Sequence, residues 1–137
     1  MVLDRDSLRR EALLWLRQAE ADLRVAIHSL EFKDWFASAF WSHQAAEKAL
    51  KSLLLSRGRS VRGHNLLYLA EVVKTELGID VPEEVMKCLR RLNPHYTVAR
   101  YPNAANGLPY QIYDEDTARE AIEYGRRVLE WVKQFLR

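Results

Sequence analysis

Apolar residues recur along most of this chain at steps of three and four positions, the spacing of one face of an α-helix. The first such stripe consists of Leu8, Ala12, Trp15, Ala19, Leu23, Ala26 and Leu30. Asp6 or Ser7 can cap the first turn of this segment with a side-chain oxygen. The pattern therefore predicts a long first helix that turns one face toward a core.

Two further helices are predicted downstream. The second begins at Asp34 and ends at Gly58, and the third begins at about Asn65 and ends before Gly78. A fourth opens at the sequence DVPEE, where Asp80 can cap the helix and Glu83 can return the hydrogen bond. The end of the chain carries one more stripe, formed by Ala118, Ile122, Gly125, Leu129, Val132 and Leu136.

Strand patterns are almost absent, so we predict an all-α protein. A chain of 137 residues forms one domain most readily, and heptad-like stripes favour packing of helices against each other. The expected architecture is a single domain over residues 1–137, an antiparallel bundle of about five helices.

Residues 93–113 do not fit the helical pattern. This stretch holds three of the four prolines and four of the six tyrosines, and Arg100 is its one formally charged residue. We predict a long loop, which is uncommon in a compact domain unless it has a function or packs as its own unit. Alternatively, its tyrosines cover one end of the bundle.

Composition and charge restrict the kinds of site and partner that the protein can have. A formal net charge of +2 is too small to indicate nucleic-acid binding by itself, so any such prediction depends on where the cations lie. Cys88 is the only cysteine, which excludes an internal disulfide and a cysteine-based zinc site. No apolar run approaches the ~20 residues that a bilayer requires. We expect a cytoplasmic protein with no membrane association and no cofactor.

Cations gather around the end of the second predicted helix. They are Lys48, Lys51, Arg57, Arg59, Arg62 and His64, with no acidic residue between Glu47 and Glu71. Such cations complement the negative end of a helix, and they would equally attract a phosphate group. Both interpretations remain open from the sequence.

Inside the second helix, Glu47 precedes Lys51 by four positions, the favourable order for an ion pair on a helix surface. His43 and Glu47 are also one turn apart, but two ligands without a third nearby are a weak signal for a metal. We therefore predict no metal site and interpret His43 as a core or interface histidine.

A second candidate site is the pair Arg90 and His95. Metal-independent cleavage of a phosphodiester needs a proton acceptor and donor and a fixed cation, and histidine and arginine suit these roles. Arg100 is a further cation near His95 in the sequence. However, Pro94 separates Arg90 from His95, so they cannot share one regular helical face. The spacing also occurs by chance in many chains.

Several segments together resemble the HEPN domain family (higher eukaryotes and prokaryotes nucleotide-binding). The resemblance is carried by WLRQAEADLRVAIHSLE, by QAAEKALK at residues 44–51, by GHNLLYLAE, and by ARYPNA before the last helix. It implies a dimeric helical bundle that pairs with a minimal nucleotidyltransferase in a toxin–antitoxin arrangement. Many members are metal-independent endoribonucleases with an arginine and a histidine separated by four to six residues, a motif that Arg90 and His95 fit here.

The branch with the Arg-Tyr-Pro sequence is described mainly as nucleotide-binding. Our leading hypothesis is accordingly a homodimer that binds a nucleotide or RNA phosphate and has a minimal nucleotidyltransferase as its partner. The predicted binding residues are Gln44, Glu47, Lys48, Lys51, Arg59, His64, Arg100 and Tyr101. The alternatives are an endoribonuclease toxin that uses Arg90, His95 and Arg100, and a protein-interaction module without a ligand of its own.

The dimer is also predicted from the aromatic residues of the second helix. Trp35, Phe36, Phe40 and Trp41 point around more than one side of it. A helix that is apolar on two sides usually has two partners, and the second would be another protomer. Alternatively, this helix lies at the centre of the bundle and is covered within one chain.

Overall fold

The structure, a computed structural model, describes residues 4–136 and consists of helices and short connections. In chain order the helices are α1 (Arg5–Glu31), α2 (Trp35–Ser56), α3 (Leu66–Leu77), α4 (Glu83–Leu92), α5 (His95–Val98), α6 (Pro102–Ala105), α7 (Pro109–Ile112) and α8 (Glu115–Lys133). Five of these are long and three are single turns. No strand occurs within residues 4–136, so the prediction of an all-α bundle is confirmed.

Helix α2 lies at the centre of the bundle. It packs most extensively against α1 and α8 and also contacts α3, α4, α5 and α7. Small residues permit the close approach of α8, because a Cβ atom added at Gly125 would lie 3.2 Å from the backbone oxygen of Ser42. Trp35, Phe36 and Phe40 pack against the core of the same chain. This agrees with the alternative of a central helix, and the dimer stays a prediction.

The ends of α3 lie where local sequence signals predict them, whereas two predictions of capping residues are wrong. Asn65 accepts hydrogen bonds from the amides of Leu67 and Tyr68 at the start of α3, and Gly78 ends this helix with a φ of 67°. Helix α1 is capped by Asp4 rather than by Asp6 or Ser7.

The capping arrangement predicted for Asp80 and Glu83 is also wrong. Pro82 is the residue that precedes the first turn of α4, and Glu83 is already the first helical residue. Asp80 is therefore two residues too early to cap the helix.

The loop predicted at residues 93–113 is in fact three single-turn helices. Pro102 and Pro109 each occupy the first position of a turn, where the missing amide hydrogen costs no bond. Four-residue helices are too short to produce a recognisable apolar period, which explains why the pattern indicated a loop. Asn93 fastens the start of this segment to α3, because its side-chain oxygen accepts a 2.8 Å hydrogen bond from the amide of Leu66.

The helices of the described region are all too short or too polar to span a lipid bilayer.

Candidate nucleotide-binding site

His64 and Arg100 meet at one rim of the bundle against the ring of Tyr96. The imidazole of His64 stacks on this ring with 4.1 Å between centroids and 15° between planes. The guanidinium carbon of Arg100 lies 4.4 Å from the centroid of the same ring. We call these three residues, together with Glu47 and Lys51 below them, the His64–Arg100 rim. It joins the turn after α2 to the segment that begins at α5.

A buried carboxylate holds His64 in place. The Nδ1 atom of His64 donates a 2.8 Å hydrogen bond to one oxygen of Glu47, and Lys51 donates a 3.0 Å bond to the other oxygen. The side chain of Glu47 is only 5% exposed, whereas that of His64 is 46% exposed. The predicted ion pair between Glu47 and Lys51 is present, but it is largely buried rather than solvated.

His43 supports His64 from the interior. It is completely buried, and burial lowers its pKa, so the ring is neutral and carries one hydrogen. Its Nε2 atom lies 3.0 Å from the backbone oxygen of His64, which can only accept, so Nε2 carries the hydrogen. Its Nδ1 atom lies 3.0 Å from Oε1 of Gln44, and turning this amide by 180° places its NH₂ group there as the donor to Nδ1. The interpretation of His43 as a core histidine is confirmed.

Three aromatic rings surround the exposed guanidinium group of Arg100. Its central carbon lies 4.7 Å from the ring centroids of both Phe40 and Tyr101, in addition to the contact with Tyr96. The Nε atom also donates a 2.7 Å hydrogen bond to the backbone oxygen of Tyr96. These contacts fix the plane of the guanidinium group, and Tyr101 beside it is 46% exposed.

Two of the predicted binding residues form ion pairs with residues outside the rim. Lys48 forms an ion pair with Asp22 on α1, a carboxylate that also accepts a 3.0 Å hydrogen bond from Gln18. Arg59 forms a 3.2 Å ion pair with Glu76 on α3. We therefore do not count Lys48 and Arg59 among the residues of the rim.

Arg90 and His95 also have separate partners. Arg90 forms an exposed ion pair with Glu83 within α4. His95 lies on α5, and its Nδ1 atom is 2.7 Å from the hydroxyl of Tyr113. Because α4 ends at Leu92, the two residues do not share a helical face, as Pro94 led us to expect.

Burial determines the protonation states of His95 and Tyr113. Desolvation, with a smaller contribution from the nearby His43, lowers the pKa of His95 to about 4. Burial also raises the pKa of Tyr113 to about 12, so its hydroxyl stays protonated and donates to His95. His95 is consequently neutral at pH 7, so it must first accept a proton before it can give one to a leaving group.

Tyr96 is the main residue that the sequence prediction missed. It touches both His64 and Arg100, but it lies 32 positions after His64 and no local pattern connects them. Within residues 4–136, no group of three or more histidine, cysteine, aspartate or glutamate residues is placed to hold a metal ion.

Known proteins are similar to this chain along nearly its whole length. The family model of the HEPN domain matches residues 12–135. A protein of Methanocaldococcus jannaschii whose name marks it as a candidate toxin is 30% identical over 134 residues, which cover 92% of this chain and 88% of that protein.

Two crystal structures share the fold. A protein of Thermus thermophilus is 35% identical, with a TM-score of 0.85 over 90% of this chain and 97% of its own. An archaeal HEPN homologue is 34% identical, with a TM-score of 0.78 over 92% of this chain and 98% of its own. With the helical fold and the match over residues 12–135, these similarities establish that the chain belongs to the HEPN domain family.

Proposed function

We propose that this HEPN protein binds the phosphate group of a nucleotide or of RNA at the His64–Arg100 rim. We further propose that it acts as a homodimer within a toxin–antitoxin type module whose other component is a minimal nucleotidyltransferase. The observation that carries the binding proposal is the guanidinium group of Arg100, which is exposed and yet held among three aromatic rings.

Arg100 has the properties that phosphate recognition requires. Its one side-chain hydrogen bond within the described residues uses Nε, and none of the ion pairs found there involves it. The planar fork of a guanidinium group matches two oxygens of a phosphate, and here the plane is fixed before a ligand arrives. Tyr101 adds an exposed ring on which a base can stack.

The similarity to known proteins supports the wider setting. The relative in Methanocaldococcus jannaschii is named as a candidate toxin. A nucleotidyltransferase partner is what the family resemblance implies. Exposed apolar side chains are present for a second protomer to cover, since Leu14 and Phe32 on and just after α1 are 59% and 78% exposed.

The geometry favours binding at the rim over cleavage by Arg90 and His95. A nuclease site would need both residues directed at one phosphate, but Arg90 pairs with Glu83 and His95 with Tyr113. His95 is half-buried and neutral at pH 7, so it could begin as the proton acceptor but not as the proton donor. We therefore do not assign a nuclease function to this pair.

The binding proposal is tested by titrating a fluorescein-labelled decanucleotide of adenylate RNA and following its anisotropy. Replacement of Arg100→Ala should weaken binding about tenfold or more, because a charge-assisted bond to phosphate contributes about 1.5–3 kcal/mol. Raising the salt concentration should weaken wild-type binding further, as counterion release predicts.

Arg119→Ala serves as the matched control, because this exposed arginine on α8 forms an ion pair with Glu115 and contacts no aromatic ring of the rim. It should leave the affinity within about twofold of wild type. If the wild type does not bind the RNA, or if both variants weaken binding equally, the rim is not the site. An interaction module without a ligand would give the first of these results.

The assembly is tested separately. Sedimentation of the purified chain should give a dimer, and co-expression with a nucleotidyltransferase encoded beside it should give a complex that co-purifies. A chain that stays monomeric and alone would contradict this part of the proposal and leave the binding result unaffected.

A further inference from the structure

The contacts of His64 determine which of its two ring nitrogens is available to a ligand. Three contacts restrain this exposed residue: Glu47 accepts from its Nδ1 atom, Tyr96 covers one face of its ring, and His43 donates to its backbone oxygen. Of its two ring nitrogens, only Nε2 has no hydrogen-bond partner among the described residues. The ring orientation is thus fixed, and a ligand would meet Nε2.

The hydrogen bond with Glu47 indicates which ring nitrogen of His64 carries the hydrogen. A carboxylate oxygen of Glu47 can only accept, so Nδ1 of His64 must be protonated. In its neutral form, His64 therefore carries its hydrogen on Nδ1 and a lone pair on Nε2, the reverse of the tautomer in His43.

From this we propose that Nε2 of His64 accepts a hydrogen bond from the ribose 2′-hydroxyl group of the nucleotide whose phosphate Arg100 binds. His64 would thereby select ribonucleotides over deoxyribonucleotides, with Glu47 as the residue that positions it. This inference rests on the proposed function, since it assumes that a nucleotide phosphate occupies Arg100.

A hydroxyl group fits this position better than a phosphate oxygen does. A phosphate oxygen at neutral pH is an acceptor, and it would face the lone pair of Nε2 without a hydrogen between them. The 2′-hydroxyl is a donor, and it is the group by which proteins distinguish RNA from DNA. Base N–H groups could also donate, but they occur in both nucleic acids and would give no discrimination.

Both side chains contact the same tyrosine ring, so one nucleotide can span the distance between them. His64 and Arg100 both lie against the ring of Tyr96, at 4.1 and 4.4 Å from its centroid. In RNA the 2′-hydroxyl and the 3′-phosphate are carried by adjacent carbon atoms of one ribose. A nucleotide whose 3′-phosphate lies on Arg100 could therefore reach His64 with the 2′-hydroxyl of the same sugar.

The experiment compares three labelled oligoadenylate decanucleotides at about pH 8, where a histidine is neutral. One is RNA, one is the 2′-deoxy form, and one is the 2′-fluoro form. The fluoro probe keeps the sugar conformation of RNA but has no hydrogen to donate. Wild-type protein should bind RNA about tenfold more tightly than either of the other two probes, the effect of one hydrogen bond.

The variant His64→Phe keeps a ring against Tyr96 and removes both nitrogens. Its ratio of RNA to DNA affinity should fall to about one. The control Arg62→Ala removes an exposed cation from the same turn, so it should weaken all three probes equally and leave the ratio at the wild-type value.

Nitrogen-15 NMR of the imidazole groups gives a readout that does not depend on a variant's folding. Wild-type protein should show the hydrogen of His64 on Nδ1 and that of His43 on Nε2. A neutral His64 with its hydrogen on Nε2 would overturn the inference.

The remaining outcomes separate the inference from the proposed function. Equal binding of all three probes with dependence on Arg100 intact overturns the selective role of His64 and leaves phosphate binding standing. Persistent discrimination in His64→Phe, or tight binding of the fluoro probe, also overturns it. Failure of every probe to bind the wild type overturns both.

Discussion

Two regions of this molecule pair a histidine with an arginine, and they differ in how the fold treats the pair. Arg90 and His95 are five positions apart in the sequence, but they contact different partners on different helices. His64 and Arg100 are 36 positions apart, but they share the ring of Tyr96. Separation along the chain therefore says little about a site when a helix ends between the two residues.

The two histidines also differ in what anchors them. A buried carboxylate holds His64 while its outer edge remains open to solvent. A tyrosine hydroxyl contacts His95, and burial suppresses the charged form. The first arrangement presents an oriented nitrogen to solvent, whereas the second stabilises a neutral, half-buried ring.

The largest expected effect is a loss of stability when the acidic partner of His64 is removed, compared with removal of the acidic partner of Arg90. Glu47→Ala removes a buried carboxylate and leaves Lys51 and His64 without a partner, so the free energy of unfolding should fall by about 3 kcal/mol. Glu83→Ala removes an exposed partner of Arg90 and should cost less than about 1 kcal/mol. Urea denaturation of both variants measures the difference. Equal losses would show that the two carboxylates are not distinguished by burial.

A smaller effect concerns the pH dependence of stability that His95 produces. Its pKa is about 4 in the folded protein, against 6.5 for a histidine in the unfolded chain, so between these values only the unfolded chain binds the proton. The free energy of unfolding should therefore fall as the pH decreases from 6.5 to 4, by about 2 to 3 kcal/mol from this residue. His43 contributes in the same direction, because burial lowers its pKa as well.

The variant His95→Gln isolates this contribution. A glutamine does not titrate, and its side-chain oxygen can still accept a hydrogen bond from Tyr113. Chemical denaturation at several pH values between 6.5 and 4.5 should give a shallower decline in the variant than in the wild type. Parallel declines would mean that His95 is not the source of the acid sensitivity.

The smallest expected effect is that of Arg90→Ala. Its ion pair with Glu83 is exposed, with the two side chains 47% and 79% accessible, so stability should change by less than about 0.5 kcal/mol. Affinity for the RNA decanucleotide should stay within about twofold of wild type. A loss as large as that of Arg100→Ala would place Arg90 in the binding site and remove the contrast between the two regions.

The long helices could be predicted because their signals are local. The apolar stripe of α1, Asn65 at the start of α3 and Gly78 at its end each act over one or two turns. The three single turns in residues 93–113 could not be predicted from periodicity, since none completes two turns. Pro102 and Pro109 were the available signals, as prolines favour the first position of a helix.

The site was predictable only in part, for a related reason. The ion pair of Glu47 and Lys51 follows from a spacing of four within one helix. The partners of Lys48 and Arg59 lie on other helices, so no local pattern indicated that Asp22 and Glu76 would neutralise them. Tyr96 likewise becomes significant only when α5 packs against α2.

The bond between Asn93 and the amide of Leu66 has a consequence for motion at the rim. Asn93 directly follows α4 and comes just before the segment that carries Tyr96 and Arg100, while Leu66 begins the helix that follows His64. This hydrogen bond therefore joins the two segments that form the rim, two residues after His64 and three residues before Tyr96. Moving these segments apart would break this bond and leave the first amide of α3 without its acceptor. The two segments should therefore move together, and the rim should keep its shape.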